Sequence, residues 1–176
     1  LGLDDEVVRA VCAEGAQGEV LEAVNFNSPG QVVIAGNKGA VERGMELAKA
    51  KGAKRALPLP VSVPSHCALM KPAGEALARY LESVSMQAPA VAVLQNADVA
   101  AFSAAAEIKA ALVRQLYSPV RWVETVQKIA AEGVAQAAEC GPGKVLAGLN
   151  KRIAADMKCI ALTDSAAISA LLVELK

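Results

Sequence analysis

A tight-turn signal between two strand-like runs constrains the fold of this chain more than any other feature. The turn is Asn-Ser-Pro-Gly at 27–30, and the runs are 20–26 and the β-branched segment 31–35. Proline followed by glycine favours a tight turn, so the two runs are predicted to be adjacent strands. Apolar residues at helical spacing precede this pair over 4–13 and follow it over 38–51. The order helix, strand, strand, helix is therefore predicted.

Two further apolar segments extend this pattern. A strand is predicted over 55–59, where Pro58 and Pro60 confine it to a sheet edge or a strand end. The first three residues, Leu1 to Leu3, resemble the tail of another strand, so the chain is expected to start inside a fold whose first strand is mostly missing. With that strand the order becomes βαββαβ, the ferredoxin-like topology. Residues 1–61 are therefore interpreted as a ferredoxin-like subdomain.

After residue 61 the chain alternates helices with short strands. Strands are predicted over 91–94, 134–140 and 159–162. Helices are predicted over 71–84 after a tighter turn, over 104–117 with Ser103 as cap, over 119–132 between Ser118 as cap and Gly133 as stop, over 144–155, and at the C-terminus. Such alternation predicts an α/β fold with a mostly parallel sheet and ligands at the carboxyl ends of its strands.

Charge and composition exclude several classes of function. Eighteen basic residues balance eighteen acidic ones, so no net field favours nucleic acid or an anionic membrane as a partner. No apolar stretch approaches the roughly 18 to 20 residues of a membrane span, and no signal-peptide pattern is present, so a cytoplasmic location is expected. The four cysteines are widely spaced beside a single histidine; reduced thiols and no metal site are expected.

His66 is the single histidine, so a general base that works near neutral pH by the usual route has to be this residue. It lies between a proline-rich loop and a predicted helix start, where backbone dipoles keep the imidazole neutral. The alternative is a surface histidine without a chemical role. Ser65 and Cys67 flank His66, but adjacent side chains diverge, so neither is predicted to be a nucleophile. The sequence contains no Gly-x-Ser-x-Gly elbow.

Gln115 is the next candidate because it shares the inward stripe of Ile108 and Leu112. In a continuous helix its carbonyl oxygen would accept a hydrogen bond from the amide of residue 119, but Pro119 has no N–H. The free carbonyl is therefore a suitable acceptor for an imidazole Nδ1–H, in place of the third residue of a triad. The alternative is that water or a neighbouring side chain satisfies it.

Four segments resemble bacterial malonyl-CoA:acyl-carrier-protein transacylases. They are 24–36, 57–66, 114–122 and 141–146, and the resemblance covers essentially the whole chain. It implies an α/β-hydrolase-like acyltransferase domain with an inserted ferredoxin-like subdomain, so 62–176 would be the C-terminal part of the large domain. It also implies that His66 activates a serine in a Gly-His-Ser-Leu-Gly elbow, and that the backbone carbonyl of Gln115 holds the imidazole.

The resemblance implies a reaction that this chain cannot complete alone. The serine, an arginine that pairs with the malonate carboxylate and a glutamine-rich oxyanion segment would all precede Leu1, so the isolated chain is predicted to be inactive. The family moves a malonyl group from CoA to the phosphopantetheine thiol of acyl carrier protein by ping-pong transfer in fatty-acid synthesis. Malonyl-CoA and acyl carrier protein are the expected partners, no cofactor of its own is expected, and the full-length enzyme is expected to be monomeric.

Two groups of residues are predicted to bind these partners. Asn25 and Asn27 are expected to hydrogen-bond the pantetheine arm, because in the family their turn faces the active-site cleft; the alternative is turn-forming asparagine. Lys51, Lys54 and Arg55 are expected to form a docking patch for an acidic carrier protein or CoA phosphates; the alternative is a solvated charge cluster.

Two other functions stay open: the acyltransferase module of a polyketide synthase, and a carrier-binding fragment without activity.

Overall fold

The computed structural model describes residues 1–174 of the 176-residue chain. Its contacts divide the chain into two compact units, one over residues 1–125 and the other from Val126 onward. From the sequence, a boundary is predicted at residue 61, between the ferredoxin-like subdomain and the large domain. That boundary differs in kind from the division into these two contact units, and it stays a prediction. No helix in residues 1–174 is long and apolar enough to cross a lipid bilayer.

A β-hairpin between two helices opens the first unit. Its elements are α1 (Asp5–Ala16), β1 (Leu21–Ser28), β2 (Gln31–Gly36) and α2 (Lys38–Ala50). The strands pair in antiparallel fashion, and Pro29 and Gly30 form the two-residue turn between Ser28 and Gln31. Gly30 has a φ of 71°, which glycine adopts without steric cost. The helices pack on the hairpin around a core that includes Cys12, Leu21, Ala23, Phe26 and Ala40. The predicted order of these four elements is confirmed.

The strand predicted over 55–59 is wrong. Residues 53–63 run without strand pairing in the part of the chain that the structure describes. Pro58 and Pro60 lack amide donors, and no described strand lies alongside to accept or donate the remaining hydrogen bonds. An alternating apolar pattern fixes which side chains share a face, but it does not supply a partner strand. The αββα part of the expected βαββαβ unit is therefore present as α1, β1, β2 and α2.

The first unit continues with α3 (Lys71–Glu82), β3 (Leu94–Gln95), β4 (Ala100–Ala101) and α4 (Ala105–Arg114). A 3-10 turn over Ala68–Met70 leads into α3, and Pro72 lies in the first turn of α3, as predicted. The strand predicted over 91–94 is reduced to the two residues of β3, because Val91 and Val93 are exposed and unpaired in the described structure. Ser103 does not cap α4; Ala104 occupies the N-cap position without a side-chain hydrogen bond.

The next helix, α5 (Trp122–Ala131), begins three residues later than predicted. The residues before it are drawn to β1 instead: Val120 forms a parallel bridge with Asn25. The Val120 N–H donates to the Val24 carbonyl at 2.8 Å, and the Phe26 N–H donates to the Val120 carbonyl at 3.0 Å. These hydrogen bonds replace the helical ones, so Ser118 and Pro119 lie outside the helix. Gly133, with a φ of 84°, follows its end as predicted.

The second unit contains a parallel strand pair. Its elements are β5 (Gln136–Cys140), α6 (Val145–Ile153), β6 (Lys158–Leu162) and α7 (Ser165–Glu174). β5 and β6 are parallel over five pairs of residues, from Gln136↔Lys158 to Cys140↔Leu162. Among residues 1–174 this two-stranded sheet is the parallel one, and the β1–β2 and β3–β4 pairs are antiparallel. The α/β class is confirmed.

Candidate active site

The imidazole of His66 is held by the backbone just beyond the end of α4. Its Nδ1 atom lies 2.7 Å from the carbonyl oxygen of Gln115. The backbone N–H of His66 donates to the carbonyl oxygen of Leu116 at 2.9 Å. Because a carbonyl oxygen can only accept a hydrogen bond, Nδ1 carries the hydrogen and Nε2 carries the lone pair. The half-buried ring is therefore fixed in the tautomer in which Nε2 can act as a base.

The way α4 ends explains why these two carbonyls are available. The last turn tightens, with the Leu116 N–H bound to the Val113 carbonyl at 3.3 Å and the Tyr117 N–H bound to the Arg114 carbonyl at 3.1 Å. Beyond that turn Pro119 has no N–H, and the amide of Val120 is bound to β1. The carbonyls of Gln115 and Leu116 therefore have no helical donor, and both bind His66.

The backbone of His66 is itself unusual. Its φ is 68°, and the only other non-glycine residues of the described chain with a positive φ are Gln17 and Val99. The left-handed region costs an L-residue roughly 1–2 kcal/mol, and such residues persist where their surroundings over-determine them. Here the two hydrogen bonds to the segment after α4 supply that constraint.

Neither neighbour of His66 is suited to nucleophilic attack. The Cys67 side chain is fully buried, and its thiol donates to the Pro64 carbonyl at 3.2 Å. Burial raises the pKa of the Cys67 thiol, so the reactive thiolate is disfavoured. The amide of Ser65 donates to the Val63 carbonyl at 2.8 Å, within the same loop. These contacts disfavour Cys67 as a nucleophile, and the expectation that Ser65 is not one stays a prediction.

The chain is similar to known proteins along nearly its whole length. It is 59% identical over 170 residues to the malonyl CoA-acyl carrier protein transacylase of Haemophilus influenzae, a match that covers 97% of this chain and 54% of that protein. The acyl-carrier-protein S-malonyltransferase of Burkholderia pseudomallei 1710b matches its structure with a TM-score of 0.95 at 57% identity, over 98% of this chain and 56% of that one. Over nearly its whole length, the chain is similar to about half of a malonyl-CoA:acyl-carrier-protein transacylase.

A third match comes from a malonyl-transacylase solved in complex with a type II PKS acyl-carrier protein. Its TM-score is 0.97 at 54% identity, over 99% of this chain and 56% of that one. The resemblance of the four sequence segments to this transacylase family is thereby confirmed. The chain spans about half the length of the relatives that it matches. No protein-family model matches it.

The structure places Asn25 beside the segment that holds His66. Asn25 lies in β1 and forms the bridge with Val120, five residues after Gln115. Asn27 lies two residues further along the strand, at an irregularity in the strand pairing between Phe26 and Ser28, and both asparagines are half-buried. Their role toward a transacylase substrate stays a prediction.

The three predicted docking cations differ in their surroundings. Lys51 forms an ion pair with Glu14 of α1 at 2.9 Å, which offsets its charge. Lys54 and Arg55 are exposed and follow α2, and their backbone amides donate hydrogen bonds to the Leu1 carbonyl. The stem of Lys54 packs against Gly2. The structure therefore keeps two of the three cations accessible for an acidic partner, and the docking role stays a prediction.

The sequence did not predict the contacts made by the loop 95–99, which connects β3 to β4. Asp98 in this loop binds Arg114, the last residue of α4, with its Oδ1 atom 3.1 Å from Nε and 3.0 Å from Nη2. The carbonyl of Asn96 accepts a hydrogen bond from the Arg121 N–H at 2.9 Å. Asparagine and aspartate such as Asn96 and Asp98 are typical of a turn, but they do not indicate which distant residues the turn contacts. Within residues 1–174, no group of three histidine, cysteine or acidic side chains could hold a metal ion.

Proposed function

We propose that this chain supplies the general-base portion of a transacylase that moves malonyl groups from malonyl-CoA to acyl carrier protein. The observation that carries the proposal is the 2.7 Å contact between His66 Nδ1 and the Gln115 carbonyl oxygen. It leaves Nε2 of the chain's single histidine as a proton acceptor. His66 is the catalytic base in this proposal, and Gln115 orients it through its backbone.

The proposed reaction has two acyl-transfer steps. First, Nε2 takes the proton of a serine hydroxyl on polypeptide outside these residues, the serine oxygen bonds to the malonyl carbonyl carbon, and the thioester bond to CoA breaks. The imidazolium returns its proton to the departing CoA sulfur. Second, Nε2 takes the proton of the phosphopantetheine thiol carried by acyl carrier protein, whose sulfur displaces the serine oxygen. The serine recovers the proton, so atoms and charge balance.

The names of the matched relatives and one solved complex support these partners. The Haemophilus influenzae relative carries both malonyl CoA and acyl carrier protein in its name. A structural neighbour was solved bound to an acyl-carrier protein. In this proposal the phosphopantetheine belongs to the partner, and Asn25 and Asn27 hydrogen-bond its arm. Lys54 and Arg55, with Lys51 beside them, face the acidic carrier.

An exposed apolar segment next to His66 supports the need for additional polypeptide. Leu57, Leu59, Val61 and Val63 alternate along it, and each exposes more than half of its surface. Contiguous apolar surface of this kind marks an interaction site in soluble proteins. The chain spans about half of its relatives, and in this proposal the remainder of a transacylase covers the segment and brings the serine to Nε2.

The test is reconstitution of activity. This chain is co-expressed with the portion of the Haemophilus influenzae transacylase that it does not match, and the purified assembly is given malonyl-CoA and holo acyl carrier protein. We expect a malonyl adduct on the carrier by intact mass. His66→Gln is expected to slow transfer by about 10²- to 10⁴-fold, the usual contribution of general-base catalysis. The exposed-residue variant Glu46→Gln serves as the matched control.

Two results would contradict the proposal. One is an assembly that forms but transfers no malonyl group. The other is an assembly in which His66→Gln and Glu46→Gln are equally active. Binding of the carrier protein by the isolated chain, with no transfer by any assembly, would instead support the interpretation as a carrier-binding fragment.

A further inference from the structure

We propose that Asp98 is a positioning residue for the imidazole of His66, acting through Arg114 and the backbone of residues 115–121. The inference rests on the proposed role of His66 as the base. Asp98 touches neither His66 nor any reacting atom in this proposal. It acts by fixing where the Gln115 carbonyl lies.

The first step is the contact between Asp98 and the end of α4. Oδ1 of Asp98 lies 3.1 Å from Nε and 3.0 Å from Nη2 of Arg114, so one carboxylate oxygen is shared by two donors of one guanidinium. Arg114 immediately precedes Gln115. The Asp98 side chain is 21% exposed, and its Oδ2 atom is buried without a hydrogen-bond partner in the described residues. A carboxylate so desolvated depends on its ion-pair partner, and charge-assisted contacts of this geometry are strong.

The second step is that the same loop holds the other end of the segment. The Arg121 N–H donates to the Asn96 carbonyl at 2.9 Å, and its Nη1 atom lies 3.4 Å from the Ala97 carbonyl oxygen. The loop 95–99 therefore contacts residues 114 and 121. Between those two anchors lie the carbonyls of Gln115 and Leu116 that bind His66, and Val120, which binds β1.

The third step is that the loop is itself rigidly held. The Val99 N–H donates to the Gln95 carbonyl at 2.8 Å, and β3 and β4 pair on either side. Val99 has a φ of 54°, which is rare for a β-branched residue. Conformations of this cost persist only where surrounding contacts enforce them, and they cluster at functional sites. The loop is therefore suited to act as a fixed support rather than as a flexible connection.

The consequence concerns the tautomer of His66. The Nδ1–H form is selected because the Gln115 carbonyl lies 2.7 Å from Nδ1. Without the Asp98–Arg114 pair, the residues after α4 lose one of their two anchors to the loop 95–99, and we expect the Gln115 carbonyl to move away from Nδ1. The imidazole then also populates the tautomer with hydrogen on Nε2, which cannot accept a proton from a nucleophile.

The test measures the tautomer of the imidazole directly. His66 is the only histidine of the chain, so ¹⁵N spectra of the 176-residue chain at pH 8 report its tautomer without overlap. We expect the parent chain to show Nδ1–H, and Asp98→Ala to show a mixture of the two tautomers. Glu46→Ala removes an exposed ion pair with Lys49 of 2.8 Å and is the matched control. It is expected to leave the spectrum unchanged.

A charge exchange separates positioning from a merely structural role. The double variant Asp98→Arg with Arg114→Asp restores the pair with its charges reversed, and it is expected to recover much of the Nδ1–H population. If Asp98→Ala fails to fold, Asp98→Asn and Arg114→Lys, which weaken the contact but keep the side-chain volume, are expected to give smaller shifts of the same sign. Folded variants of Asp98 and Arg114 that all keep the parent tautomer would overturn the inference.

Kinetics of the reconstituted assembly give a second readout. Displacement of a catalytic group by about 1 Å can cost about 10²-fold in rate, so Asp98→Ala is expected to lower kcat by up to that factor. The KM for malonyl-CoA is expected to stay within about 2-fold, because Asp98 is not among the proposed substrate contacts. If no assembly transfers malonyl groups, the proposed function fails, whereas the spectra of the isolated chain still decide whether Asp98 positions His66.

Discussion

Gly74 in α3 lies directly against the ring of Tyr117. A methyl group added at Gly74 would come within 2.7 Å of the Tyr117 Cε1 atom and 2.9 Å of Cδ1. Tyr117 follows Gln115 by two residues, in the segment whose carbonyls bind His66. The close approach of α3 to this segment therefore depends on the absence of a side chain at residue 74.

The first prediction concerns this contact. Gly74→Ala is expected to lower the free energy of unfolding by roughly 1–3 kcal/mol, because overpacking displaces the ring. Gly148→Ala is the matched control, since a methyl group there, in the middle of α6, meets nothing within 4 Å. It is expected to raise stability by up to about 1 kcal/mol through helix propensity. Urea unfolding followed by circular dichroism measures both, and equal values for the two variants would contradict the packing argument.

The isolated chain is expected to gain no malonyl group. The sequence has no serine elbow, and the thiol beside His66 is buried with a raised pKa. Intact mass before and after incubation with malonyl-CoA measures this directly. The reconstituted assembly, treated identically, is the positive control. A stable adduct on the isolated chain that is lost in Cys67→Ala or Ser65→Ala would show that a neighbour of His66 is the nucleophile after all.

Cysteine reactivity should follow burial. Cys140 is exposed, whereas Cys12 and Cys67 are buried. Burial raises the pKa of both buried thiols, that of Cys12 to about 11, so few thiolates are present at pH 8. We expect an aromatic disulfide reagent to label Cys140 first, with peptide mass spectrometry identifying the site. Rapid labelling of Cys67 in the folded chain would mean that its loop opens readily.

The Cys12 thiol also predicts how stability changes in alkali. Its pKa is raised in the fold from an ordinary value of 9.0 to about 11. The folded state thus holds the proton more tightly, so this contribution to stability is complete below pH 9 and is lost as the pH rises toward 11. Comparison of unfolding free energies at pH 8 and pH 11 should show a smaller decline for Cys12→Ala than for the parent. Cys140→Ala should decline as the parent does.

The docking patch can be tested in the reconstituted assembly. Reversing Lys54 and Arg55 to Glu is expected to raise the apparent KM for acyl carrier protein severalfold, because two accessible cations would be replaced by repulsive charges. The KM should become less sensitive to salt in the same variant. Lys144→Glu with Lys151→Glu reverses the same number of charges in the second unit and is the control. An unchanged KM after the first reversal would remove the patch from the proposal.

Local signals in the sequence predicted the parts of the fold that short-range contacts decide. The turn at Pro29 and Gly30 predicted the hairpin, and Pro72 predicted where the regular helix α3 begins. The missing amide of Pro119 indicated a free carbonyl at Gln115, the atom that the structure places beside His66 Nδ1. Each of these depends on residues no more than four positions apart, or on the absence of one donor.

Long-range pairing accounts for what the sequence did not predict. The start of α5 shifted because Val120 pairs with β1, nearly a hundred residues earlier in the chain. The segment over 55–59 has the alternation of a strand but no partner strand in the described residues. The ion pair between Asp98 and Arg114 joins a loop to a helix end across sixteen positions. No local pattern encodes such contacts.

The two carbonyl groups that bind His66 belong to the main chain, and this affects how the site tolerates change. Replacing the side chain of Gln115 or Leu116 does not remove either acceptor, since every amino acid carries the same carbonyl. The orientation of the imidazole is therefore insensitive to residue identity at the two positions that bind it. We expect it to be sensitive instead to changes at Asp98, Gly74 and Pro119, which do not bind the imidazole but constrain the backbone that carries the two carbonyls. A survey limited to the residues that bind the imidazole would therefore overlook the substitutions that we expect to displace it.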